Sequence, residues 1–209
     1  MLNTCISFLF FLQNNLTMHG SCVEQNNEQS IFLGKSGSGK STMAYELVTN
    51  NKYKLVTEDC IMIDPANELT AIPSYPCIKI HPDHEEQKNN LKILTSGKHD
   101  SLKRILLEIP DKSFATYDKS SKITEIFFME WSDKNRIKSL TREEGFKNLF
   151  KHTMRYLPKL EDKSIEKNIF NMSVNLANKA KSYMIHRKDF SDNSLHDVLS
   201  EIILMKKNR

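Results

Sequence analysis

Glycine is scarce in this chain and is concentrated at one place. Of the six glycines in 209 residues, three lie at positions 34–39, within the segment Gly-Lys-Ser-Gly-Ser-Gly-Lys-Ser-Thr at 34–42. This segment fits the pattern G-x-x-x-x-G-K-S/T of the Walker A phosphate-binding loop. A short apolar segment at 30–33 precedes it, and apolar residues with helical spacing follow at 42–48. A strand, a glycine-rich loop and a helix in this order predict an α/β fold.

The residue types of the loop suit the binding of a nucleotide. Glycines let the backbone curl so that successive N–H groups converge on an anion, and the following helix adds the positive end of its dipole. We expect Lys40 to neutralise the β- and γ-phosphates and the Ser41 hydroxyl to bind Mg²⁺. ATP and Mg²⁺ are therefore the predicted cofactors. The candidate nucleotide-binding residues are Gly34, Ser36, Gly37, Ser38, Gly39, Lys40, Ser41 and Thr42.

Two adjacent acidic residues follow the loop at the end of a further predicted strand. Segments 19–24 and 29–33 flank a turn-like sequence and predict a hairpin that runs into the loop. A further predicted strand, 53–59, ends in the adjacent carboxylates Glu58 and Asp59. At the carboxyl end of a strand beside the loop strand, such a pair can place one oxygen on Mg²⁺ and another near an incoming hydroxyl. We interpret the pair as a catalytic centre, and an exposed acidic turn is the alternative.

The remainder of the chain shows no internal repeat and no low-complexity linker, so we expect one domain over 1–209. Its P-loop core spans about 16–82, and C-terminal helices span about 141–206. We expect the closing helix to pack into the core. The alternative is that it forms an oligomer interface, so a homo-oligomer is a possible partner state.

Several smaller features are also predicted. The apolar segment 123–131 reads as a strand, with Trp131 assigned to the core rather than to an adenine-stacking surface. Thr141 and Glu144 have the spacing of a helix capping box. Residues 95–121 are polar enough to predict an irregular, mobile stretch. Within it, Lys103 and Arg104 are candidate cations for stabilising transferred charge.

Composition excludes several classes of protein. The longest mainly apolar run, 5–12 with Ser7 inside it, has eight residues, against roughly 20 for a bilayer-spanning helix, so no membrane span is expected. The first basic residue is Lys35, which argues against a secretory leader and favours the cytoplasm. A net charge of +4 without a dense basic stripe argues against a nucleic-acid partner.

Taken in order, four motifs resemble the kinase domain of the HPr serine kinase/phosphorylase family. They are His19-Gly20-Ser21, the loop at 34–42, Glu58-Asp59 and the Pro-containing segment at 72–80, and the resemblance covers roughly residues 16–82. It implies a P-loop kinase fold related to phosphoenolpyruvate carboxykinase, with a mixed sheet flanked by helices, in which ATP phosphorylates a serine.

The resemblance also implies roles for particular residues. His19 would lie near the transferring phosphate, Lys40 and Ser41 would hold nucleotide and metal, and Asp59 would face Mg²⁺. Glu58 stands where the family commonly has an aspartate, the proposed base for the acceptor hydroxyl. The Glu58 side chain is thus one methylene longer than the aspartate that the family commonly has at this position.

Two departures shape the predicted activity. The bifunctional enzymes of this family carry a further N-terminal domain and a second glycine-rich signature, whereas only the isolated Gly97 and Gly145 follow the loop here. We therefore do not expect phosphorylase activity. Short relatives resemble lasso peptide kinases, which implies an ATP-dependent serine kinase acting on a peptide or small protein, foremost the C-terminal serine of a ribosomally made precursor. The alternatives are an HPr-type protein serine kinase, a small-molecule kinase and a non-catalytic nucleotide-gated binding module.

Overall fold

The structure is a computed structural model that describes residues 9–13, 15–64, 66–67, 69–81, 91–96, 104–153, 163–188 and 192–207. The helices are α1 Lys40–Asn50, α2 Arg142–Thr153, α3 Lys163–Lys179 and α4 Asp192–Lys207. The strands are β1 Thr17–Met18, β2 Gly20–Gln25, β3 Glu28–Gly34, β4 Lys54–Glu58, β5 Ile61–Met62, β6 Cys77–Ile80, β7 Ile93–Ser96, β8 Ile105–Glu108, β9 Lys122–Trp131, β10 Arg136–Ser139 and β11 Lys181–Arg187.

A six-stranded mixed sheet forms the centre of the molecule, in the order β10-β11-β9-β3-β2-β4. The β11–β9 and β9–β3 pairs are parallel, and the other pairs are antiparallel. Strands β3, β4, β9 and β11 consequently point the same way, so that their carboxyl ends meet at one edge of the sheet. The predicted mixed sheet flanked by helices is confirmed.

The predicted hairpin into the glycine-rich loop is present. Strands β2 and β3 pair from Gly20↔Leu33 to Gln25↔Glu28, which leaves a two-residue turn. Both turn residues have positive φ, 53° at Asn26 and 61° at Asn27. Asparagine tolerates this left-handed conformation, which two-residue hairpin turns require.

Both faces of the central sheet are buried, because its strands carry apolar side chains on both sides. On one face Phe32, Phe127 and Tyr183 stack across three adjacent strands, with successive ring centroids 5.2 Å apart. Helices α1 and α4 cover this face with Met43, Leu47, Leu195 and Leu199. On the other face Ile31, Leu33 and Phe128 pack against Leu149 of α2 and Ile169 and Leu176 of α3. Burial on both faces fixes the position of the loop between β3 and α1.

A small antiparallel sheet, β6-β8-β7, lies beside the site and corrects one prediction. Within the stretch expected to be irregular, β8 and the end of β7 are regular strands, and residues 97–103 lie outside the described part of the chain. Ile105 and Leu107 are buried in the same core as α1, and the short apolar run 105–107 is a strand signal that the polar composition of the whole stretch obscured. Strand β6 is at the edge of this sheet, and Pro76, which cannot donate a hydrogen bond to a neighbouring strand, directly precedes it.

The capping box before α2 is confirmed. Glu144 N donates to Thr141 Oγ1 at 3.2 Å, and Thr141 N donates to Glu144 Oε2 at 2.9 Å. Among the helices of the described ranges, we find none with the length and apolarity that a membrane span requires.

Candidate functional site

A cavity of about 540 Å³ lies at the edge where the carboxyl ends of the four co-directional strands meet. It brings together His19, Glu58, Asp59 and most of the predicted loop residues, whereas Gly34 and Ser38 are not part of its wall. The lining residues are His19, Gly20, Ser21, Ser36, Gly37, Gly39, Lys40, Ser41, Thr42, Glu58, Asp59, Lys79, Ile80, His81, Arg104 and Arg187.

The loop conformation depends on its glycines. Gly37 and Gly39 have φ of 82° and 90°, a left-handed backbone that residues with a β-carbon rarely adopt. A β-carbon on Gly34 would lie 2.6 Å from the carbonyl oxygen of Met129 on the neighbouring strand. Close strand packing and two left-handed residues thus produce the curled backbone that can present N–H groups to an anion.

Lys40 and Ser41 open helix α1 directly after the loop. The Lys40 side chain is buried, and its Nζ donates to the carbonyl oxygens of Gly34 at 3.1 Å and Lys35 at 3.0 Å. Its ammonium group therefore lies over the loop, where a phosphate would need charge neutralisation. Ser41 Oγ donates a 2.6 Å hydrogen bond to Glu58 Oε1.

Glu58 is a buried carboxyl with incomplete hydrogen bonding. It is 1% exposed, and its Oε2 has no hydrogen-bond partner among the described residues. Burial, and next the neighbouring charge of Asp59, raise the pKa of Glu58 to about 7 against the opposing effects of Ser41, Lys79 and Arg104. This carboxyl can therefore exchange a proton near neutral pH.

Asp59 is held from two sides. Its backbone is left-handed, with φ of 69°, which is uncommon for a residue other than glycine. Its Oδ2 accepts a hydrogen bond from Lys79 Nζ. His19 Nδ1 donates to the Asp59 carbonyl oxygen at 2.8 Å, which fixes the proton on Nδ1. His19 thus lies beside the carboxylate pair in the wall of the cavity.

The ion pair between Lys79 and Asp59 was not predicted. Burial alone would lower the pKa of Lys79, but the hydrogen bond and charge of Asp59, with the charge of Glu58, raise it overall. The segment 72–80 enters the family resemblance only as one motif, which does not single out this lysine. An isolated cation between two apolar residues of an edge strand was the available signal.

Arg187 was also missed, and Trp131 was wrongly assigned. Arg187 ends β11 and is 3% exposed, with its guanidinium carbon 5.2 Å from the centroid of the Trp131 ring. Trp131 is 38% exposed, so its assignment to the core is wrong. It is the last residue of β9. Of the candidate cations at 103–104, Arg104 lines the cavity, and Lys103 lies outside the described residues.

The oxygen donors of the site fit a hard cation. The Ser41 hydroxyl contacts Glu58 Oε1, and the other oxygen of that buried carboxyl, Oε2, has no hydrogen-bond partner within the described ranges. Asp59 follows directly. Hydroxyl and carboxylate oxygens are the ligands that Mg²⁺ takes beside phosphates. Among the described residues no group of three or more His, Cys, Asp or Glu could hold a metal ion alone. Mg²⁺ at this place would be bound jointly by these side-chain oxygens and by phosphate oxygens of a nucleotide.

The strand order and the loop define an α/β domain with a P-loop beside a pair of carboxylates. No family model matches the chain. The chain is similar to the HPr kinase/phosphorylase of Listeria welshimeri, at 31% identity over 124 residues, which is 55% of this chain and 39% of the relative. It is 30% identical to the Listeria monocytogenes protein of that name over the same length. The protein of that name from Lachnoclostridium phytofermentans is 34% identical over 70 residues, 34% of this chain and 22% of the relative.

These relatives support an HPr kinase-like domain, which confirms the resemblance seen in the motifs. The chain spans about two-fifths of the length of the Listeria relatives. A solved structure, the HPr(Ser) kinase/phosphatase from Coxiella burnetii, covers 92% of this chain and 99% of its own, with a TM-score of 0.42 and 10% identity. That degree of structural likeness adds nothing to what the sequence relatives support.

Proposed function

We propose that this protein is an ATP-dependent kinase that transfers the γ-phosphate to a serine hydroxyl of a peptide or protein. The observation that carries the proposal is the hydrogen bond from Ser41 of the P-loop to the buried Glu58, in a cavity that also contains Lys40 and Asp59. The HPr kinase/phosphorylase relatives support a kinase-type function.

The chain's own residues divide the work of the transfer. The loop N–H groups and Lys40 bind the phosphate chain, and Lys79 and Arg104 add positive charge at the cavity wall. The acceptor hydroxyl gives its proton to a carboxylate as its oxygen bonds to the γ-phosphorus. The bond from phosphorus to the β-phosphate oxygen breaks, and ADP leaves. Mg²⁺, when bound, would neutralise charge on the phosphates and would be held by Ser41 and one of the two carboxylates.

Two divisions of labour between the carboxylates have support. The family resemblance supports Asp59 as the metal ligand and Glu58 as the base, and a Glu58 pKa of about 7 suits a base. The hydrogen bond from Ser41 supports Glu58 on the metal side. Kinetics of Glu58→Gln and Asp59→Asn over a range of Mg²⁺ concentrations separate them, because loss of a metal ligand raises the Mg²⁺ requirement and loss of the base lowers kcat at saturating Mg²⁺.

The central test uses Lys40→Ala with radiolabelled ATP. We expect phosphate transfer to fall at least about a hundredfold while circular dichroism shows a folded protein, because a preorganised cation at the reacting phosphates is lost. Transfer at the wild-type rate would overturn the mechanism. ATP binding by the wild type without transfer to any acceptor would instead favour the nucleotide-gated binding module.

The narrower acceptor class is also a proposal. We propose the C-terminal serine of a ribosomally made, lasso-type precursor peptide, for which the support is the short-form resemblance. The names of the relatives favour HPr as the second acceptor to test. A panel of a serine-terminated peptide, the same peptide with a C-terminal amide, purified HPr and free serine distinguishes these acceptors from a small-molecule substrate.

A further inference from the structure

Arg187 places a buried cation against the phosphate-binding loop from a strand distant in sequence. A β-carbon built on Gly39 would lie 2.5 Å from Arg187 Nη1, so the edge of the guanidinium lies against the backbone of the residue before Lys40. Gly39 is also the N-cap of α1. Both Gly39 and Arg187 line the cavity. The guanidinium therefore borders the space in which the loop and the helix N-terminus would bind phosphates.

Trp131 holds this guanidinium from the side. The Arg187 guanidinium carbon lies 5.2 Å from the Trp131 ring centroid, within the range of a cation–π contact. The two residues are register partners on the parallel strands β9 and β11. Trp131 is not among the described residues that line the cavity. Its position thus fits support of Arg187 better than direct stacking on a nucleotide base.

We propose that Arg187 binds the phosphate chain of the nucleotide through its guanidinium and that Trp131 is its positioning residue. The inference rests on the proposed nucleotide binding and adds a specific ligand contact to it. A planar guanidinium can donate two parallel hydrogen bonds to phosphate oxygens, which an ammonium cannot. Lys40 approaches the loop through the carbonyls of Gly34 and Lys35, whereas Arg187 approaches at Gly39. The two cations would thus neutralise different parts of one polyphosphate.

The test measures binding by calorimetry in the full chain, with Mg-ATP and with inorganic tripolyphosphate as probes. For Arg187→Met we expect the Kd of both probes to rise by about tenfold or more, because charge-assisted hydrogen bonds are lost. Arg187→Lys, which keeps the charge but not the planar fork, should give a smaller loss. The matched control is Arg136→Met, which removes an exposed arginine on the adjacent strand β10 and should leave both Kd values unchanged.

The fluorescence of Trp131 supplies a second readout, because it is the single tryptophan of the chain. Tripolyphosphate should change the Trp131 emission in the wild type and leave it unchanged in Arg187→Met at saturating probe. Trp131→Phe, which keeps an aromatic face, should retain more ATP affinity than Trp131→Leu. Equal affinity in the two Trp131 variants would overturn the positioning role.

The outcomes separate this inference from the proposed function. If the wild type binds neither ATP nor tripolyphosphate, the proposed function fails, and the inference fails with it. If the wild type binds both and Arg187→Met binds them equally well, only the inference fails. A loss for ATP without a loss for tripolyphosphate would place Arg187 at the base or ribose and overturn the phosphate contact. Calorimetric stoichiometry reports any misfolded fraction apart from the Kd, and Arg187→Lys decides the question if the methionine variant does not fold.

Discussion

Two glutamates are buried at opposite ends of the central strands, and they are held differently. Glu125, near the amino end of β9, is fully buried; it accepts a 2.9 Å hydrogen bond from Ser30 Oγ and lies 3.1 Å from Lys206 Nζ of α4. Glu58, at the carboxyl end of β4, accepts its hydrogen bond from Ser41, and Lys79 donates to the adjacent Asp59 instead. One carboxylate has a direct cationic partner from the chain, and the other forms the centre of the cavity.

The comparison distinguishes Glu125, a buried carboxylate that stabilises the fold, from Glu58, a buried carboxylate that belongs to the cavity. Removing a carboxylate from water costs several kcal/mol unless a counter-charge compensates. Glu125 and Lys206 compensate each other and connect the last helix to the sheet. At Glu58 the cost remains visible as a pKa raised to about 7. We infer that the fold tolerates this cost because the proposed phosphate transfer needs a carboxylate beside the P-loop.

The largest expected effect concerns the structural pair. Glu125→Gln leaves the Lys206 ammonium, whose side chain is 10% exposed, without its counter-charge, and should lower the free energy of unfolding by roughly 3–5 kcal/mol. Urea denaturation measures this loss. Calorimetry should give an unchanged ATP Kd for the folded fraction, because Glu125 is not among the described residues that line the cavity.

A double variant is the control for that prediction. Glu125→Leu combined with Lys206→Met removes both charges and should recover most of the lost stability, since apolar replacement of a whole buried pair is often neutral. If Glu125→Gln were as stable as the wild type, or if the double variant were less stable than Glu125→Gln, the structural role of the pair would be contradicted.

The second effect has the opposite sign. Glu58→Gln removes the buried charge and should raise the free energy of unfolding of the ligand-free protein at pH 8. The Glu58 pKa is about 7 in the folded state against an ordinary value of 4.5, so the gain is on the order of 3 kcal/mol at about 1.4 kcal/mol per pKa unit. Phosphate transfer should fall at the same time, which would make this a trade of stability for activity.

The pH dependence of stability isolates Glu58. Because its pKa is higher in the folded than in the unfolded protein, the folded state binds more protons between about pH 4.5 and 7, and stability falls as pH rises through this window. Subtracting the Glu58→Gln profile from the wild-type profile removes the other titrating groups. The two curves should coincide below about pH 4.5, diverge between about pH 4.5 and 7, and run parallel above that window. Curves that stay parallel from pH 4.5 to 7 would show that Glu58 is not the buried, costly carboxyl described here.

The predicted part of the site is the part that is local in sequence. The P-loop, the hairpin before it and the acidic end of β4 each follow from short patterns, such as the glycine spacing at 34–42 and the turn at Asn26 and Asn27. The apolar segment 123–131 likewise predicts β9. These features depend on residues within about ten positions of one another, where periodicity and turn chemistry are informative.

The part that was missed depends on contacts between distant segments. Lys79 reaches Asp59 because β6 packs beside the strand ends, and Arg187 reaches Gly39 because β11 lies two strands from β3 in the sheet. Local composition does not show which residue either cation contacts. The sheet order decides which cation meets the loop, and the sequence alone leaves that order open.

The smallest expected effect is a loss of stability at Thr141, away from both glutamates. It shows how far a loss of stability alone changes ATP binding. Thr141→Ala removes the hydroxyl that accepts from Glu144 N at the start of α2 and should cost about 1 kcal/mol of stability. Thr141→Ser keeps an accepting hydroxyl and is the matched control. Neither variant should change the ATP Kd, because the cap lies outside the residues that form the cavity wall in the described chain. If the alanine variant weakened ATP binding in proportion to its lost stability, then general destabilisation would suffice to explain a loss of affinity, and the contrast between Glu125 and Glu58 would have to rest on the pH profile alone.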